Sequence, residues 1–391
     1  MKRLLLIFLA LFCLPGAGFA AEAPELTGSC RFSSDARSTE FSLMTDGSLG
    51  TYFPFGDKGR SLEIHCDSPV WGVSVSLFNR YGQPMSYDLE VQTDSGWQKA
   101  AEGGEYLVHW HALSEGATAL RLVCTSKERL RIAELRLFGP GDRPAEVQDW
   151  QTLDKCDLML LSTHPDDELL WFGGLLPTYA GERGLRVQVA VMVPCGGERQ
   201  LELLGAVWHC GVRAYPAFLG FVDNNGGSVK GQYSRWRGKE RVQRVVTRVI
   251  RQYRPEVLVT HGEQGEYGHA AHKTTADVAK TAVELAASAK KFPQSAKEQG
   301  TWQVKKLYLH EYEKRPLICD WDQPLSAFGG LTGYEVAEAA FRFHASQVRR
   351  DWHFERHGEH DNARFGLYST TVGNDTGLGD FMEHIPLDSG I

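Results

Sequence analysis

Hydrophobic and polar positions change their rhythm once along the chain. From Leu26 to about Gly139 apolar residues alternate with polar ones in short runs, at 61–66, 71–77, 87–93, 105–110, 119–124 and 131–138. Turn signals such as Asp46-Gly47, Tyr81-Gly82 and Asp94-Ser95-Gly96 separate them. Period-two alternation broken by turns predicts antiparallel strands with one face buried, so this half reads as an all-β sandwich of jelly-roll-like kind. Beyond a polar, proline-containing stretch at 139–151, continuous apolar runs at 157–163, 187–193, 217–221, 257–260 and 307–311 alternate with longer amphipathic segments. In the segment 239–253, Val242, Val245, Val246, Val249 and Ile250 share one helical face. Strand alternating with helix predicts an α/β, Rossmann-like parallel sheet with flanking helices. Ligands in such sheets bind beyond the carboxyl ends of the strands, which directs attention to the loops there.

The first twenty residues belong to neither rhythm. Lys2 and Arg3 precede an apolar run from Leu4 to Leu14, too short to span a bilayer, and Pro15-Gly16 with the small residues Gly18 and Ala20 follows. Residues 1–20 are therefore expected to be a signal peptide cut after Ala20; an uncleaved anchor is the alternative. No later run approaches about 18 consecutive apolar residues, so no membrane span is expected after its removal. The mature chain is expected to be exported, periplasmic or secreted. What remains is longer than one core usually supports, which gives 24–140 as the β-sandwich domain, 141–151 as a linker and 152–391 as the α/β domain.

The formal net charge of −7 becomes more negative when Lys2 and Arg3 leave, which argues against a nucleic-acid partner. Cys30, Cys66, Cys124, Cys156, Cys195, Cys210 and Cys319 are left, an odd number without C-x-x-C pairs. At least one stays unpaired, and spacing does not reveal the connectivity.

Two clusters carry candidate chemistry. The first α/β strand run ends in Thr163-His164-Pro165-Asp166-Asp167-Glu168. Asp166 or Asp167 could cap the following helix, but a cap needs one acidic residue and the segment offers three beside a histidine. The fourth strand run leads into His261-Gly262-Glu263-Gln264-Gly265-Glu266-Tyr267-Gly268-His269-Ala270-Ala271-His272, followed by a helical stretch. A parallel sheet would bring both clusters together, and two histidines with one carboxylate suit a hydrolytic metal site with an open position for water.

His164-Pro165-Asp166-Asp167-Glu168 with the later His-x-x-His resembles the PIG-L (LmbE-like) deacetylase family, over approximately residues 155–367. Arg199-x-x-Glu202 and His344-Ala345-Ser346-Gln347 add to the likeness. The resemblance implies that His164, Asp167 and His272 bind one divalent metal ion, Zn2+ foremost with Fe2+ or Co2+ also suitable. It further implies that Asp166 is the general base and that His269 supports the transition state. Arg199 and Glu266 are the candidate substrate-binding residues. The chemistry is consistent: zinc lowers the pKa of water it holds to about 7, Asp166 can accept that proton, and a protonated His269 would face the oxyanion. Many relatives carry Asp or Asn where this chain has Ala271, so a carboxylate orienting His269 must come from elsewhere, with Glu266 and Glu263 as candidates.

In the front half, Thr45-Asp46-Gly47, Thr51-Tyr52-Phe53 and 131–139 resemble the discoidin-like, galactose-binding-like sandwich family. Tyr52, Phe53, Trp71, Trp97 and Trp110 could offer faces to a glycan, although strand aromatics usually point inward. The expected activity is N-deacetylation of an amino-sugar glycan or glycoconjugate. An amidase acting on a larger acyl group, or a glycan binder with a vestigial hydrolase half, are the alternatives. The polar stretch at 223–238 could shape the pocket. Neither the specific glycan nor the oligomeric state can be read from the sequence.

Overall fold

The computed structural model describes residues 21–387 except 37, 80, 81, 83 and 378. The expected signal peptide therefore lies outside the described residues.

The front half contains β1 (Cys30–Ser34), β2 (Phe53–Gly56), β3 (Ser61–Leu77), β4 (Tyr87–Thr93), β5 (Gly96–Gly103), β6 (Val108–Cys124) and β7 (Leu130–Phe138). They join in one antiparallel hydrogen-bonded network in the order β2-β7-β3-β6-β4-β5, with β1 on β3. The sequence suggests two strands at 61–66 and 71–77 where the structure has the single long β3, and likewise two at 105–110 and 119–124 where the single β6 begins only at Val108 and runs to Cys124. The reason is visible in the β3–β6 register, which breaks between His65 and Val70 and again before Gly72. The exposed Asp67-Ser68-Pro69 reads as a turn but is an irregularity inside a continuing ladder. The first half of β3 pairs with β1 and the second with β7, so the long strands tie two arms of the network together. Cys30 and Cys66 face one another across β1 and β3 and form a disulfide, leaving five free cysteines among the described residues.

Of the aromatics that could meet a glycan, Phe53 is core and Trp71 is 40% exposed. Tyr52 packs on Phe78, Trp110 on Phe138, and Arg121 covers Trp97.

The second half contains β8 (Leu158–Ser162), β9 (Val187–Val191), β10 (Ala217–Phe218), β11 (Val257–Thr260), β12 (Lys306–His310), β13 (Pro316–Ile318) and β14 (Arg364–Thr370). Its helices are α1 (Asp167–Leu170), α2 (Glu198–His209), α3 (Val229–Arg235), α4 (Lys239–Tyr253), α5 (Ala270–Ala286), α6 (Pro293–Gln299), α7 (Gly333–Phe341) and α8 (Ala345–Val348). The sheet order is β10-β9-β8-β11-β12-β14-β13. The strands from β10 to β12 are parallel, but β14 is antiparallel to both β12 and β13. The sheet is therefore mixed, where the sequence predicts a parallel one. β12 and β13 run the same way on either side of β14, joined by a short link in which Glu311 and Arg315 take positive φ, and β14 enters between them in the opposite sense from later in the chain. Pro316, which cannot donate to a ladder, sits on the edge strand.

Strands β8, β9, β11 and β12 are buried throughout, the signature of a sheet covered on both faces. On α4, Val242, Val246 and Ile250 are buried as their spacing predicts. The halves meet where Tyr106 stacks on Tyr215 and where the Leu107 N–H donates to the Tyr215 hydroxyl at 3.0 Å. Among the described residues no helix is long and apolar enough to cross a membrane.

Candidate active site at the strand ends

Strands β8, β11 and β12 run side by side in register, so the residues just past their carboxyl ends converge. His164 and Asp166 follow β8, Asp167 opens α1, His261 follows β11, His310 ends β12, and His272 lies in the first turn of α5. Asp166 adopts φ 126°, a backbone conformation costly for any residue with a Cβ. Two bonds hold it there. Its N–H donates to Glu168 Oε2 at 2.8 Å, and its carboxylate meets Arg199 Nη2 at 2.9 Å. Glu168 in turn is bonded to His344 at 2.6 Å, entirely inside the protein.

The three residues implied as metal ligands come together. His164 Nδ1 lies 3.3 Å from Asp167 Oδ2, His272 Nε2 lies 3.3 Å from the same oxygen, and the two nitrogens are 3.2 Å apart. Such spacing fits a tetrahedral ion, whose ligands at about 2.1 Å stand roughly 3.4 Å from one another. The donor set of two imidazoles and a carboxylate suits a divalent cation, so these residues fit the implied metal.

Two other combinations also cluster, His164–His269–His272 and Asp167–His261–His272, with potential ligand atoms within 4.8 Å of each other. His261 is already occupied. Its Nε2 accepts the Thr163 N–H at 3.0 Å, which makes Nδ1 the proton carrier toward Glu266 Oε2 at 2.7 Å. No lone pair is left for an ion.

Glu266 does not face a substrate. It is 1% exposed and receives three imidazoles, from His261, His272 and His310, each at 2.7 Å. Its bond to His272 Nδ1 leaves Nε2 unprotonated and aimed at His164 and Asp167, the arrangement by which a carboxylate orients a metal-binding histidine. The expectation of a substrate contact at Glu266 is thus replaced by support from beneath. Arg199 is mostly buried and held on Asp166 and on the Pro165 carbonyl.

His269 is half-buried, and its ring lies 5.2 Å from that of His164 and 4.6 Å from that of His272. No carboxylate holds it: Glu266 serves other rings, Glu263 pairs with Lys280 at 2.6 Å, and His269 Nδ1 has no partner among the described residues. Burial, with His272 and His164 close by, pushes its pKa down to about 4, so the side chain is neutral near neutrality and offers an N–H rather than a full charge. Burial and the two neighbouring rings oppose the protonated His269 expected from sequence, while Asp167 and Asp223 favour it.

Burial opposes charge throughout the cluster, yet its neighbours decide the outcome. Burial pushes Asp166 up to about 7 in spite of Arg199. Asp167 is also buried, but His272 and His164 hold it well below the usual carboxylate range. Against burial, Asp167 and Asp223 push His164 up to about 9. Asp223, the first residue of the stretch at 223–238, comes within 3.6 Å of His164 Nε2. Sequence reasoning names the loop but misses this residue, and it gives no role to His261 or His310. Both histidines directly follow or end apolar strand runs, which is the signal that could have found them.

A family model described as PIG-L: GlcNAc-PI de-N-acetylase matches residues 159–283. A 1D-myo-inositol 2-acetamido-2-deoxy-alpha-D-glucopyranoside deacetylase 1 of Catenulispora acidiphila is 30% identical over 212 residues, covering 46% of this chain and 64% of that protein. A deacetylase of the same description from Geodermatophilus obscurus is 31% identical over 255 residues, covering 50% of this chain and 84% of that protein. Among solved structures, the N,N'-diacetylchitobiose deacetylase from Pyrococcus horikoshii is 18% identical with a TM-score of 0.39, covering 49% of this chain and 71% of that one. The chain thus spans just under two thirds of the length of the first of these relatives.

Proposed function

The chain belongs to the PIG-L family, and from that premise we propose that it is an exported, metal-dependent N-deacetylase that hydrolyses the acetamide of an N-acetylated amino sugar or glycan. The observation that carries this reading is the triangle of His164 Nδ1, Asp167 Oδ2 and His272 Nε2 at 3.2–3.3 Å, with Asp166 poised beside it.

His164, Asp167 and His272 would hold the ion. When bound it polarises the acetamide carbonyl and acidifies water to a pKa of about 7. Asp166 takes the proton from the attacking water. Burial against Arg199 leaves its pKa at about 7, where a carboxylate can accept a proton and give it back near neutral pH. Arg199 and Glu168 fix the orientation of Asp166, while Glu266 fixes that of His272. The neutral His269 points its N–H at the oxygen that gains charge when the carbonyl is attacked, and the returned proton leaves with the amine.

The division into a discoidin-like sandwich at 24–140, a linker at 141–151 and the deacetylase half at 152–391 is part of this proposal. The separation of the two hydrogen-bonded sheets supports it. Export is supported by the Lys2-Arg3 apolar leader pattern and by the Cys30–Cys66 disulfide, a bond favoured in oxidising compartments.

Purified protein should contain a divalent metal and release acetate from at least one member of a panel of N-acetylated glycans, with chelation abolishing release. Glycan binding without acetate release under any divalent metal would favour a binding protein instead.

A further inference from the structure

The two halves meet a second time, directly behind Arg199. Phe78 follows the end of β3, where its N–H donates to the Arg131 carbonyl at 2.9 Å and its ring lies 4.6 Å from that of Tyr52. From this seat the front half reaches the turn that precedes α2. The Asn79 carbonyl accepts the Gly197 N–H at 2.8 Å. The Phe78 ring lies so close to Gly197 that a Cβ there would stand 2.8 Å from Cζ. Glu198 packs just as tightly on Gly50, where a Cβ would stand 2.8 Å from Oε1.

The turn so gripped is strained. Cys195, Gly196 and Gly197 take φ of 56°, 68° and 55° in succession, a left-handed run that persists only where its surroundings hold it. The Gly196 N–H stays within the turn, on the Pro194 carbonyl, and that of Gly197 leaves it for the front half. Immediately beyond, Arg199 turns inward. Its Nη1 donates to Cys195 Sγ at 3.4 Å, and its Nη2 lies 2.9 Å from Asp166 Oδ2 and donates to the Pro165 carbonyl. The other side of α2 is fixed by Arg349 on Glu198 and by the Ser346 hydroxyl on Glu202, each at 2.6 Å.

On the reading of the site as a deacetylase, we propose that Phe78 of the front half is a positioning residue for the reaction. With the Asn79 carbonyl it holds the turn at 195–197, the turn sets Arg199, and Arg199 holds Asp166 in its orientation. The front half enters the catalytic apparatus at this one contact. The Cys30–Cys66 disulfide sits on β1 and the opposite arm of β3 and contributes stability alone.

Steady-state acetate release from N,N'-diacetylchitobiose by wild type, Phe78→Ala, Arg199→Ala and the double variant tests the chain of contacts. Phe78→Ala should lose about tenfold in kcat, inside the roughly hundredfold that a 1 Å misplacement can cost, with KM and metal content unchanged. In the Arg199→Ala background the same substitution should cost almost nothing further, because its effect passes through Arg199. Wild-type kcat in Phe78→Ala, or the same loss in both backgrounds, would overturn the proposal and leave the deacetylase reading standing. Phe78→Leu keeps apolar cover on Tyr52 but withdraws Cζ from Gly197. It should show the same effect in smaller degree, and it takes the place of Phe78→Ala if that variant does not fold. If wild type releases no acetate from any N-acetylated glycan, the deacetylase reading fails separately. In that case, or where Arg199→Ala is silent, Cys195 reports on the turn, being the one free cysteine among the described residues that is not buried. Its labelling by N-ethylmaleimide, located by peptide mass spectrometry, should run about tenfold faster in Phe78→Ala than in wild type as local opening becomes easier. Equal labelling rates would reject the hold of Phe78 on the turn.

Discussion

The two halves of the molecule bury their apolar residues alike and their charged ones very differently. In the front half, His111 is the one buried side chain among the described histidines, acids, lysines and arginines. The α/β half buries His164, Asp166, Asp167, Glu168, His261, Glu266, His272, His310 and His344 around the ends of three adjacent strands. Burying charge is costly unless every group finds a partner, so such a concentration marks a place where stability has yielded to chemistry. Burial alone is not the marker. Arg251 and Lys306 are equally hidden in the same half, yet Arg251 gives its protons to carbonyls at the end of α5 and around α6, and Lys306 to those of Phe381 and Glu383. They close off backbone. The strand-end groups instead surround a point that three donors face.

The sharpest test of that distinction compares two substitutions in the cluster. Asp166→Asn should keep the metal and lose about 10²–10⁴-fold in turnover, the usual scale for general acid–base catalysis. His272→Ala should lose metal first and recover part of its activity when metal is added in excess. Metal content by mass spectrometry alongside acetate release separates the two. Wild-type turnover in Asp166→Asn would remove the base from the mechanism, and full metal content in His272→Ala would remove the ligand set.

The front half should respond in the opposite currency, stability without activity. Replacing both Cys30 and Cys66 by Ser should cost about 2–4 kcal/mol in unfolding free energy. Acetate release at temperatures well below melting should not change. Should turnover fall in parallel with stability, the contact through Tyr106 and Tyr215 couples the halves more tightly than two separate sheets imply.

A smaller effect is expected beneath the site. Glu266→Gln keeps the shape but replaces one of the oxygens that three imidazoles share with an amide donor. Metal affinity should fall by about 10–100-fold, as it does when the group orienting a metal-binding histidine is lost. Titration of metal-free protein measures it, and an unchanged affinity would show that His272 is oriented without Glu266.

Parts of this contrast were legible in the sequence. The change from period-two alternation to apolar runs and amphipathic segments locates the boundary between the halves, and the segment 239–253 coincides with α4. Histidine and acid runs placed after strand patterns identify His164, Asp166, Asp167 and His272, because a parallel arrangement of β8 and β11 forces their loops together. What stayed hidden depends on long-range pairing. Nothing local reveals that β14 slots between β12 and β13, since an antiparallel strand arriving after a long excursion leaves no periodic trace. The partner of Glu266 could not be inferred either, for the residues it holds come from three separate elements. The continuity of β3 through Asp67-Ser68-Pro69 was masked by residues that elsewhere make turns.

The smallest expected effect concerns the one buried histidine of the front half. His111 Nε2 and the Tyr87 hydroxyl lie 2.8 Å apart, with the ring of His109 stacked 5.7 Å away. Burial, reinforced by His109, pushes the pKa of His111 from its ordinary 6.5 down to about 4. Above pH 6.5 the imidazole is neutral in both the folded and the unfolded chain. Between 6.5 and about 4 only the unfolded chain takes up the proton, so stability falls as the pH falls through that window. Below about 4 both states are protonated and this contribution falls no further. Its size is about 1–3 kcal/mol, since burial is incomplete and His109 titrates nearby. His111→Gln keeps an acceptor for the Tyr87 hydroxyl and cannot titrate. Its melting temperature should therefore fall less steeply than that of wild type between pH 6.5 and 4, with acetate release at pH 7 unchanged. Parallel melting curves would show that protonation of His111 contributes nothing to the acid sensitivity of the fold.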